Sequence, residues 1–342
     1  MKQKETIFYV GTYTEGNSEG VYKYSLKDDG EIHSIGLSVK TENPSFIAKS
    51  SDGKYLLAVS EKEVGIVKSF KIIGDNLQFI SKSSSGGAHP CFITSNNKGY
   101  VLVANYTSGN IGLLKLSLEG RLSNLLDVQQ HSGKGITFRQ RTPHAHSVWF
   151  DPGNENIISI DLGTDELIFS FIDSIKQKLI PTIQNKLKIE PGAGPRHLTF
   201  HPNKKWIYII NELNSSVSLV KNKNNNYYLD SSISTLPKEY IEENICAEIH
   251  LSNDGKFIYA SNRGHNSIAV FSIGTSGKLK LLEHESTRGD GPRNFKLSPD
   301  NNFMIVANQY TDNLVSFRRN TKTGGLEYLM EVKVSAPACV MF

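Results

Sequence analysis

A paired-strand unit recurs along the chain and constrains its fold more than any other feature. Each copy opens at a proline or a small residue with a short strand, turns at Asp, Asn, Pro or Gly, and returns as a strongly apolar strand. Pairs such as Asp52-Gly53 suit tight hairpin turns, because both residues tolerate positive φ. The interval between copies is roughly 45–53 residues, the length of a four-stranded propeller blade. Copies begin at Pro44, Pro90, Pro143, Gly194, Cys246, Gly291 and Ala336.

The two ends of the sequence carry complementary halves of one further unit. Residues 8–13 are typical of a second strand, and residues 337–342 are typical of a first strand. Pairing them completes a blade and leaves no free sheet edge. The sequence therefore predicts an all-β fold, a seven-bladed β-propeller of four-stranded blades closed by N- and C-terminal strands that share one blade. We expect one domain over residues 1–342, without a linker.

Two segments are longer than the repeat requires, residues 129–141 and 227–245. We expect both to be loops that lie over a face of the blades. No stretch has a sustained helical spacing of apolar residues, and we expect only a single helical turn at residues 241–244.

Composition limits the partners of the chain. It has 38 basic and 34 acidic residues and a net charge of +4, too small an excess to indicate nucleic acid or a membrane surface. Cys91, Cys246 and Cys339 are an odd set without close spacing, so we expect buried reduced thiols and no disulfide framework. No apolar run of signal or membrane length is present, which favours the cytoplasm.

The repeat brings charged residues to one rim, since the start of a first strand and the end of a second strand lie at the same end of a blade. We predict that Arg196, Glu212, Arg263 and Arg293 face a ligand, because isolated charge near a narrowing channel is costly to desolvate. An internal ion-pair network is the alternative. A structural role is predicted for His201 and His250 and for five amide or carboxylate side chains at strand ends: Asn105, Asp161, Asn211, Asn262 and Asn308.

Two motifs invite other interpretations. Residues 16–20 match the serine-hydrolase elbow as a string, but a strand follows where that motif needs a helix, so we predict a hairpin loop. His144 and His146 are spaced as half of a metal site. No second cluster at ligand spacing accompanies them, and we predict no metal.

Several motifs together resemble the seven-bladed propeller lactonases, the 6-phosphogluconolactonase family of the bacterial cycloisomerase-like type. They occupy residues 9–13, 143–146, 194–197 with 211–213, 261–264, and 291–295 with 307–309. The resemblance covers essentially the entire chain. It implies hydrolysis of 6-phosphoglucono-δ-lactone to 6-phosphogluconate in the pentose phosphate pathway, without a cofactor. A related branch of the family uses a His, two Arg and a Glu on a carboxymuconate lactone.

The resemblance also implies site residues. The matching catalytic positions are Glu212, Arg196, Arg263 and a histidine that is either His144 or His146. Lactone hydrolysis needs a base, either Glu212 or one of these histidines, and donors for the oxyanion, for which both arginines are suited. The predicted substrate-binding residues are His197, Arg293, Gln309, Asn262 and Tyr13.

Two rival functions stay open at this point. Two arginines suit a dicarboxylate as well as a phosphate, which fits a lactonising or cycloisomerase reaction. A non-catalytic, protein-binding propeller is the other rival, although the scaffold signature is absent and the chain has only 2 Trp. The predicted partner is a small anionic sugar lactone, with no nucleic acid and no membrane; the sequence does not predict an oligomeric state.

Overall fold

The computed structural model describes residues 5–14, 16–74 and 76–342, and their strands form seven four-stranded antiparallel sheets. Each sheet is one blade of an all-β propeller. In six of these sheets the four strands follow one another as consecutive hairpins, and the remaining sheet combines the first three strands with the last one. The sequence prediction of seven four-stranded blades is confirmed. The chain divides into two compact units, and each is described by itself.

The first unit holds blades 1, 6 and 7 and most of blade 5, within the described residues up to Lys40, His197–Asn222 and Leu229–Phe342. Blade 1 consists of β1 (Glu5–Thr12), β2 (Gly20–Lys27), β3 (Ile32–Lys40) and the last strand, β28 (Pro337–Met341). Blade 5 consists of β16 (Pro195–Phe200), β17 (Trp206–Asn211), β18 (Ser216–Lys223) and β19 (Asn226–Ser234). Blade 6 consists of β20 (Ile245–Leu251), β21 (Phe257–Arg263), β22 (Ser267–Ile273) and β23 (Leu279–Ser286). Blade 7 consists of β24 (Pro292–Leu297), β25 (Phe303–Asn308), β26 (Asn313–Arg319) and β27 (Leu326–Lys333).

The second unit, Thr41–Arg196 with Lys223–Tyr228, holds blades 2, 3 and 4. Blade 2 consists of β4 (Ile47–Lys49), β5 (Tyr55–Ser60), β6 (Ile66–Ile73) and β7 (Asn76–Ser84). Blade 3 consists of β8 (Pro90–Ser95), β9 (Tyr100–Asn105), β10 (Asn110–Lys115) and β11 (Asp127–Gln130). Blade 4 consists of β12 (Ala145–Phe150), β13 (Ile157–Asp161), β14 (Glu166–Asp173) and β15 (Lys178–Lys188).

The terminal strands share blade 1, as the sequence predicts. β28 pairs antiparallel with β1, and the register places Tyr9 opposite Met341 and Val10 opposite Val340. The Phe8 and Phe342 rings pack with centroids 5.2 Å apart. The blade is therefore built from two parts of the chain that lie at opposite ends of the sequence.

Burial explains why the second strand of each repeat is the most apolar. β5, β9 and β25 are buried at every position, because both faces of these strands are covered. The fourth strands are more exposed, and β15 alternates mainly between half-buried and exposed residues. Each unit has its own apolar clusters: Phe8, Val10 and Ile305 belong to one in the first unit, and Leu102 and Val148 to one in the second.

The two long segments are only partly loops. Residues 226–234 form the outer strand β19, so the predicted loop at 227–245 is wrong over its first eight residues and shrinks to residues 235–244. β19 contains Asn, Asp and Ser, residues that are common in loops, so the sequence pattern does not indicate a strand there. Gln129 and Gln130 end β11, and a short 3₁₀ helix, η1 (Phe138–Gln140), lies in the remainder of the other segment. The helical turn expected at residues 241–244 is absent there.

The smaller predictions have mixed outcomes. Gly16, Asn17 and Ser18 lie in the connection between β1 and β2, as expected of a hairpin loop. All three cysteines are buried and outside any disulfide, and burial raises the pKa of the Cys246 thiol to about 11. Among the described residues, no helix is long and apolar enough to cross a membrane.

Candidate active site

The first strands of several blades contain a bulge near their start, and several predicted site residues occupy it. In blade 4, Ala145 pairs with Asp161 and Ser147 with Ile160, so His146 is the extra residue. In blade 7 the extra residue is Arg293, by the same register shift. Bulges re-aim a side chain and are over-represented next to active sites. The bulge separates His146 from His144, which precedes the strand.

Glu212 and Arg263 form a buried ion pair in the first unit. The guanidinium Nη2 of Arg263 lies 3.1 Å from Glu212 Oε2, and the two side chains are only 6% and 5% exposed. The same Nη2 donates to the backbone carbonyl of Cys246 at 2.9 Å. Both residues end or follow a second strand, so the repeat itself places them at equivalent rims of blades 5 and 6.

A second buried carboxylate, Glu248, lies in the bulge of blade 6. Its Oε1 is 3.1 Å from His197 Nδ1 and accepts the backbone N–H of Ile249 at 3.0 Å. Its Oε2 accepts a short hydrogen bond from the amide of Asn294. Glu248 therefore joins the first strands of blades 5, 6 and 7. The sequence did not single out Glu248, because its role depends on partners in two other blades.

His250 lies beside this carboxylate. Its Nε2 is 4.0 Å from Glu248 Oε1, and its ring packs edge-on against Phe295. Burial, and to a smaller extent the positive charge of Lys296, lower the pKa of His250 to about 3. A neutral imidazole packed on an aromatic ring fits the structural role predicted for it.

Arg293 and Tyr13 form another pair in the first unit. Arg293 Nη2 donates to the Tyr13 hydroxyl at 2.7 Å, and the guanidinium lies 5.2 Å from the centroid of the ring. Both side chains are half-buried. Gln309 is half-buried as well and follows β25, with its backbone N–H bonded to the carbonyl of Gly291. Tyr13, Arg293 and Gln309 therefore each keep part of their surface exposed.

In the second unit, His144 and His146 flank Tyr106. The His144 ring stacks on Tyr106 with centroids 4.5 Å apart, and its Nδ1 is 3.2 Å from the Tyr106 carbonyl oxygen. His146 meets the same ring edge-on at 5.5 Å, and its Nδ1 lies 3.8 Å from Cys91 Sγ. His144 is half-buried, whereas His146 is 5% exposed. His144 is thus the more accessible of the two.

Arg196 is the second residue of β16, as His146 is of β12 and Arg293 is of β24. It is 3% exposed, and its backbone carbonyl accepts the Ser147 hydroxyl at 2.7 Å.

The strand-end amides are structural, but not in the way the sequence suggests. Asn105 and Asn308 donate to the carbonyls of Ser85 and Thr287, which follow the outer strand of the preceding blade. Asn262, which the sequence also suggested for substrate binding, is fully buried and donates to the carbonyl of Thr235. Its amide is thus committed within the first unit. Asp161 bonds to the backbone of its own turn, at the N–H of Thr164. Asn105 and Asn262 instead donate to the side chains of Asn110 and Ser267, which follow their turns.

Arg139 is a cation that sequence reasoning passed over. Its Nη2 donates to the Tyr106 hydroxyl at 3.2 Å, and it lies in η1. The fully buried amide of Gln140 anchors this segment through the carbonyl of Leu162 and the carboxylate of Asp165. In the sequence, this segment stands out only by its length, and length does not show which of its side chains contacts Tyr106.

The described ranges contain no group of three or more His, Cys, Asp or Glu side chains that could hold a metal ion. A cavity of about 670 Å³ opens in the first unit at the hairpin turns beyond β2 and β24, beside Asp28, Asp300 and Arg318. Its lining includes none of the predicted site residues.

Comparison with known proteins places the chain in a family. The family description "Lactonase, 7-bladed beta-propeller" matches residues 7–342. A 6-phosphogluconolactonase of Bacillus subtilis is 34% identical, with 98% of each chain covered. A 6-phosphogluconolactonase of Formosa agariphila is 36% identical, with 94% of each chain covered.

Solved structures agree with that placement. A periplasmic gluconolactonase of Pseudomonas aeruginosa superposes with a TM-score of 0.95 at 29% identity, covering 99% of each chain. A protein of Bacteroides fragilis described as a putative 6-phosphogluconolactonase gives a TM-score of 0.93 at 31% identity, with 99% of this chain and 98% of that one covered. The chain therefore belongs to the family of seven-bladed β-propeller lactonases.

Proposed function

We propose that the protein hydrolyses a sugar lactone, and that its substrate is 6-phosphoglucono-δ-lactone, which opens to 6-phosphogluconate. The observation that carries the proposal is the buried Glu212–Arg263 pair, with Nη2 and Oε2 at 3.1 Å, in a chain 34% and 36% identical to two 6-phosphogluconolactonases. A role in the pentose phosphate pathway and a cytoplasmic location go with this proposal and stay predictions.

The chemistry needs one base and one site of positive charge. In the proposed reaction the Glu212 carboxylate takes a proton from water as the water oxygen attacks the lactone carbonyl carbon. Arg263 donates to the oxyanion that forms, and the bond from that carbon to the ring oxygen then breaks. The ring oxygen leaves as an alkoxide and takes the proton back. No cofactor takes part.

The remaining predicted residues divide into two groups. Arg293, Tyr13, Gln309 and His197 are proposed to bind the substrate, and the half-buried guanidinium of Arg293 suits a phosphate or carboxylate oxygen. Arg196 and one of His144 and His146 are proposed to serve the same reaction as further catalytic groups. The alternative that a histidine is the base stays open.

A second candidate is hydrolysis of a lactone without phosphate. The Pseudomonas aeruginosa structure, at a TM-score of 0.95, is described as a gluconolactonase. The two candidates differ only in the group carried at the far end of the sugar.

The experiment is a spectrophotometric lactonase assay on freshly made 6-phosphoglucono-δ-lactone, corrected for spontaneous hydrolysis. Glucono-δ-lactone and a carboxymuconate lactone are run beside it, with the Glu212→Gln variant as the matched control. We expect catalysed hydrolysis that prefers the phosphorylated lactone and is lost in the variant. Rates equal to the spontaneous rate on both sugar lactones contradict the proposal, whereas a preference for glucono-δ-lactone selects the second candidate.

A further inference from the structure

Three buried side chains of the second unit stand in the order serine, histidine, carboxylate. His131 Nδ1 lies 2.7 Å from Asp161 Oδ2, and His131 Nε2 lies 3.2 Å from Ser159 Oγ. Because a carboxylate oxygen can only accept, Nδ1 carries a proton and donates it to Asp161. These are the contacts of a nucleophilic triad.

The serine cannot act as a nucleophile here. Ser159 is 0% exposed in the middle of β13, and its hydroxyl is also 3.3 Å from the carbonyl of Ile168 in the neighbouring strand. Asp161 is 0% exposed and His131 4%. No substrate carbonyl can approach an oxygen enclosed within a blade, so the group serves another purpose.

The second carboxylate oxygen indicates that purpose. Asp161 Oδ1 accepts the backbone N–H of His144 at 2.9 Å and that of Thr164 at 3.0 Å. Asp161 is also the register partner of Ala145, directly before the bulge that holds His146. Asp161 therefore holds His144, which precedes β12, and pairs with Ala145, the first residue of β12, which lies between the two candidate histidines.

Other blades carry a different pair at this place. Asn105 donates to the carbonyl of Ser85, which occupies the place of His131 at the end of the preceding outer strand. Asn308 does the same with Thr287. The Oδ1 atoms of both asparagines are buried without a hydrogen-bond partner among the described residues. An Asn–Ser or Asn–Thr pair is thus sufficient to build blades 3 and 7, whereas the Asp161 carboxylate also holds the backbone N–H of His144 before β12.

We propose that His131 and Asp161 are positioning residues, which aim His144 and His146 for the reaction. His131 orients the carboxylate through Oδ2, and the carboxylate holds the backbone of His144 through Oδ1. The catalytic part of this inference rests on the proposed lactonase function. The structural part concerns only the backbone at residues 143–146 and can be measured without a substrate.

The test replaces the pair by the one found in blade 3, in the double variant His131→Ser with Asp161→Asn, together with Asp161→Asn alone. Ser159→Ala is the matched control, because it removes a buried hydrogen bond from the same group but leaves the carboxylate. We expect kcat to fall on the order of 10²-fold in the double variant, with KM within about twofold, because small displacements of catalytic groups have effects of this size. Ser159→Ala is expected to keep its kcat.

A second route disturbs the same backbone from the other side. A Cβ at Gly163 would overlap the carbonyl oxygen of Thr142 and lie 2.8 Å from the N of His144. Gly163→Ala is therefore expected to lower kcat as the double variant does. Gly274→Ala, where the nearest atom to a Cβ is 3.3 Å away, is expected to leave it unchanged.

The readout independent of activity is hydrogen exchange at the His144 amide, followed by NMR. We expect exchange about tenfold faster or more in the double variant than in the wild type and in Ser159→Ala. Unchanged exchange overturns the inference even if the protein is no lactonase. An equal loss of kcat in Ser159→Ala and Asp161→Asn also overturns it, because the effect would then not come from the hold of the carboxylate on the His144 backbone. Absence of lactonase activity in the wild type with faster exchange in the variant refutes the proposed function alone.

Discussion

Glu212 and Arg263 form an ion pair that is almost completely shielded from water. Their exposed fractions of 5% and 6% mean that each pays a large desolvation cost, which the partner at 3.1 Å offsets. An apolar pair of equal volume would fold as well or better. Retention of two buried charges at the end of second strands is therefore better explained by chemistry than by stability.

We predict that Glu212→Gln and Arg263→Met each reduce lactonase kcat by on the order of 10²-fold or more, because each removes a group that acts on the transition state. Each single variant is also expected to lose about 3–5 kcal/mol of unfolding free energy, since it leaves one buried charge unpaired. Lactonase assays and urea unfolding measure the two effects.

The double variant Glu212→Gln with Arg263→Met separates the effects, because it removes both charges. Its stability should return toward that of the wild type while its activity stays low. Recovered activity in the double variant, or full activity in either single variant, contradicts the assignment.

His250 predicts how stability depends on pH. Its pKa is about 3 in the folded protein, against an ordinary value of 6.5. Between these values the unfolded chain binds a proton that the folded chain refuses, so the free energy of unfolding falls as pH drops below 6.5. From pH 7 to pH 5 the loss is about 2 kcal/mol. We expect urea unfolding of His250→Gln to show a smaller loss by about that amount; an equal loss in both proteins would falsify this account.

At the residue scale, sequence reasoning identified the charged positions but not their partners. Glu212, Arg263 and Arg293 stood out because they interrupt a repeat of apolar and amide residues. Glu248, the partner of His197, and Tyr106, the partner of His144, did not stand out. A contact between different blades leaves no pattern in either segment of the sequence alone. His131 escaped for the same reason, since it lies in a loop of one blade and serves the next.

At the scale of the element, burial decides which strands the sequence reveals. Second strands such as β9 and β25 are buried on both faces and form continuous apolar runs. Fourth strands such as β19 mix buried Tyr227 with polar residues, and the pattern there resembles a loop. The bulges in first strands are equally hidden, because an extra residue in one strand is defined only by its partner strand.

β28 has only 5 residues, but we expect its loss to have a large effect on folding. It covers one edge of β1 through the register from Tyr9–Met341 to Thr12–Pro337. We predict that deletion of residues 337–342 abolishes cooperative thermal unfolding and causes aggregation, because it exposes an apolar strand edge. Circular dichroism and light scattering measure this. Met341→Ala, which keeps the pairing, should remain folded, and a deletion variant as stable as that control contradicts the prediction.

At the scale of the whole molecule, the match over residues 7–342 and the seven blades give the same answer as the repeat count. The period of the repeat was enough to predict the number of blades, because each blade is one copy. The reaction was not predictable in this way, since the same fold hosts many functions; it came from the motifs at the blade rims.

The shared blade predicts that the chain tolerates new ends. Phe342 packs on Phe8, near the start of β1, so a linker of about six residues can join β28 to β1 as a hairpin. We expect a permuted protein opened at the turn of residues 274–277 to fold and to keep its thermal midpoint within a few degrees, because that turn is a surface hairpin connection. A permutant opened inside fully buried β5 is the control that should fail. Failure of both, with soluble expression of the parent, contradicts the idea.

The pairing of β28 with β1 also dictates when the protein can finish folding during its synthesis. β1, β2 and β3 leave the ribosome early, but the edge of β1 stays uncovered until β28 emerges after almost the entire chain has been made. A nascent chain of this kind therefore carries an open strand edge, which favours aggregation, for most of its translation. Any product cut short by a premature stop codon would keep the edge permanently open and so would be recognised for degradation.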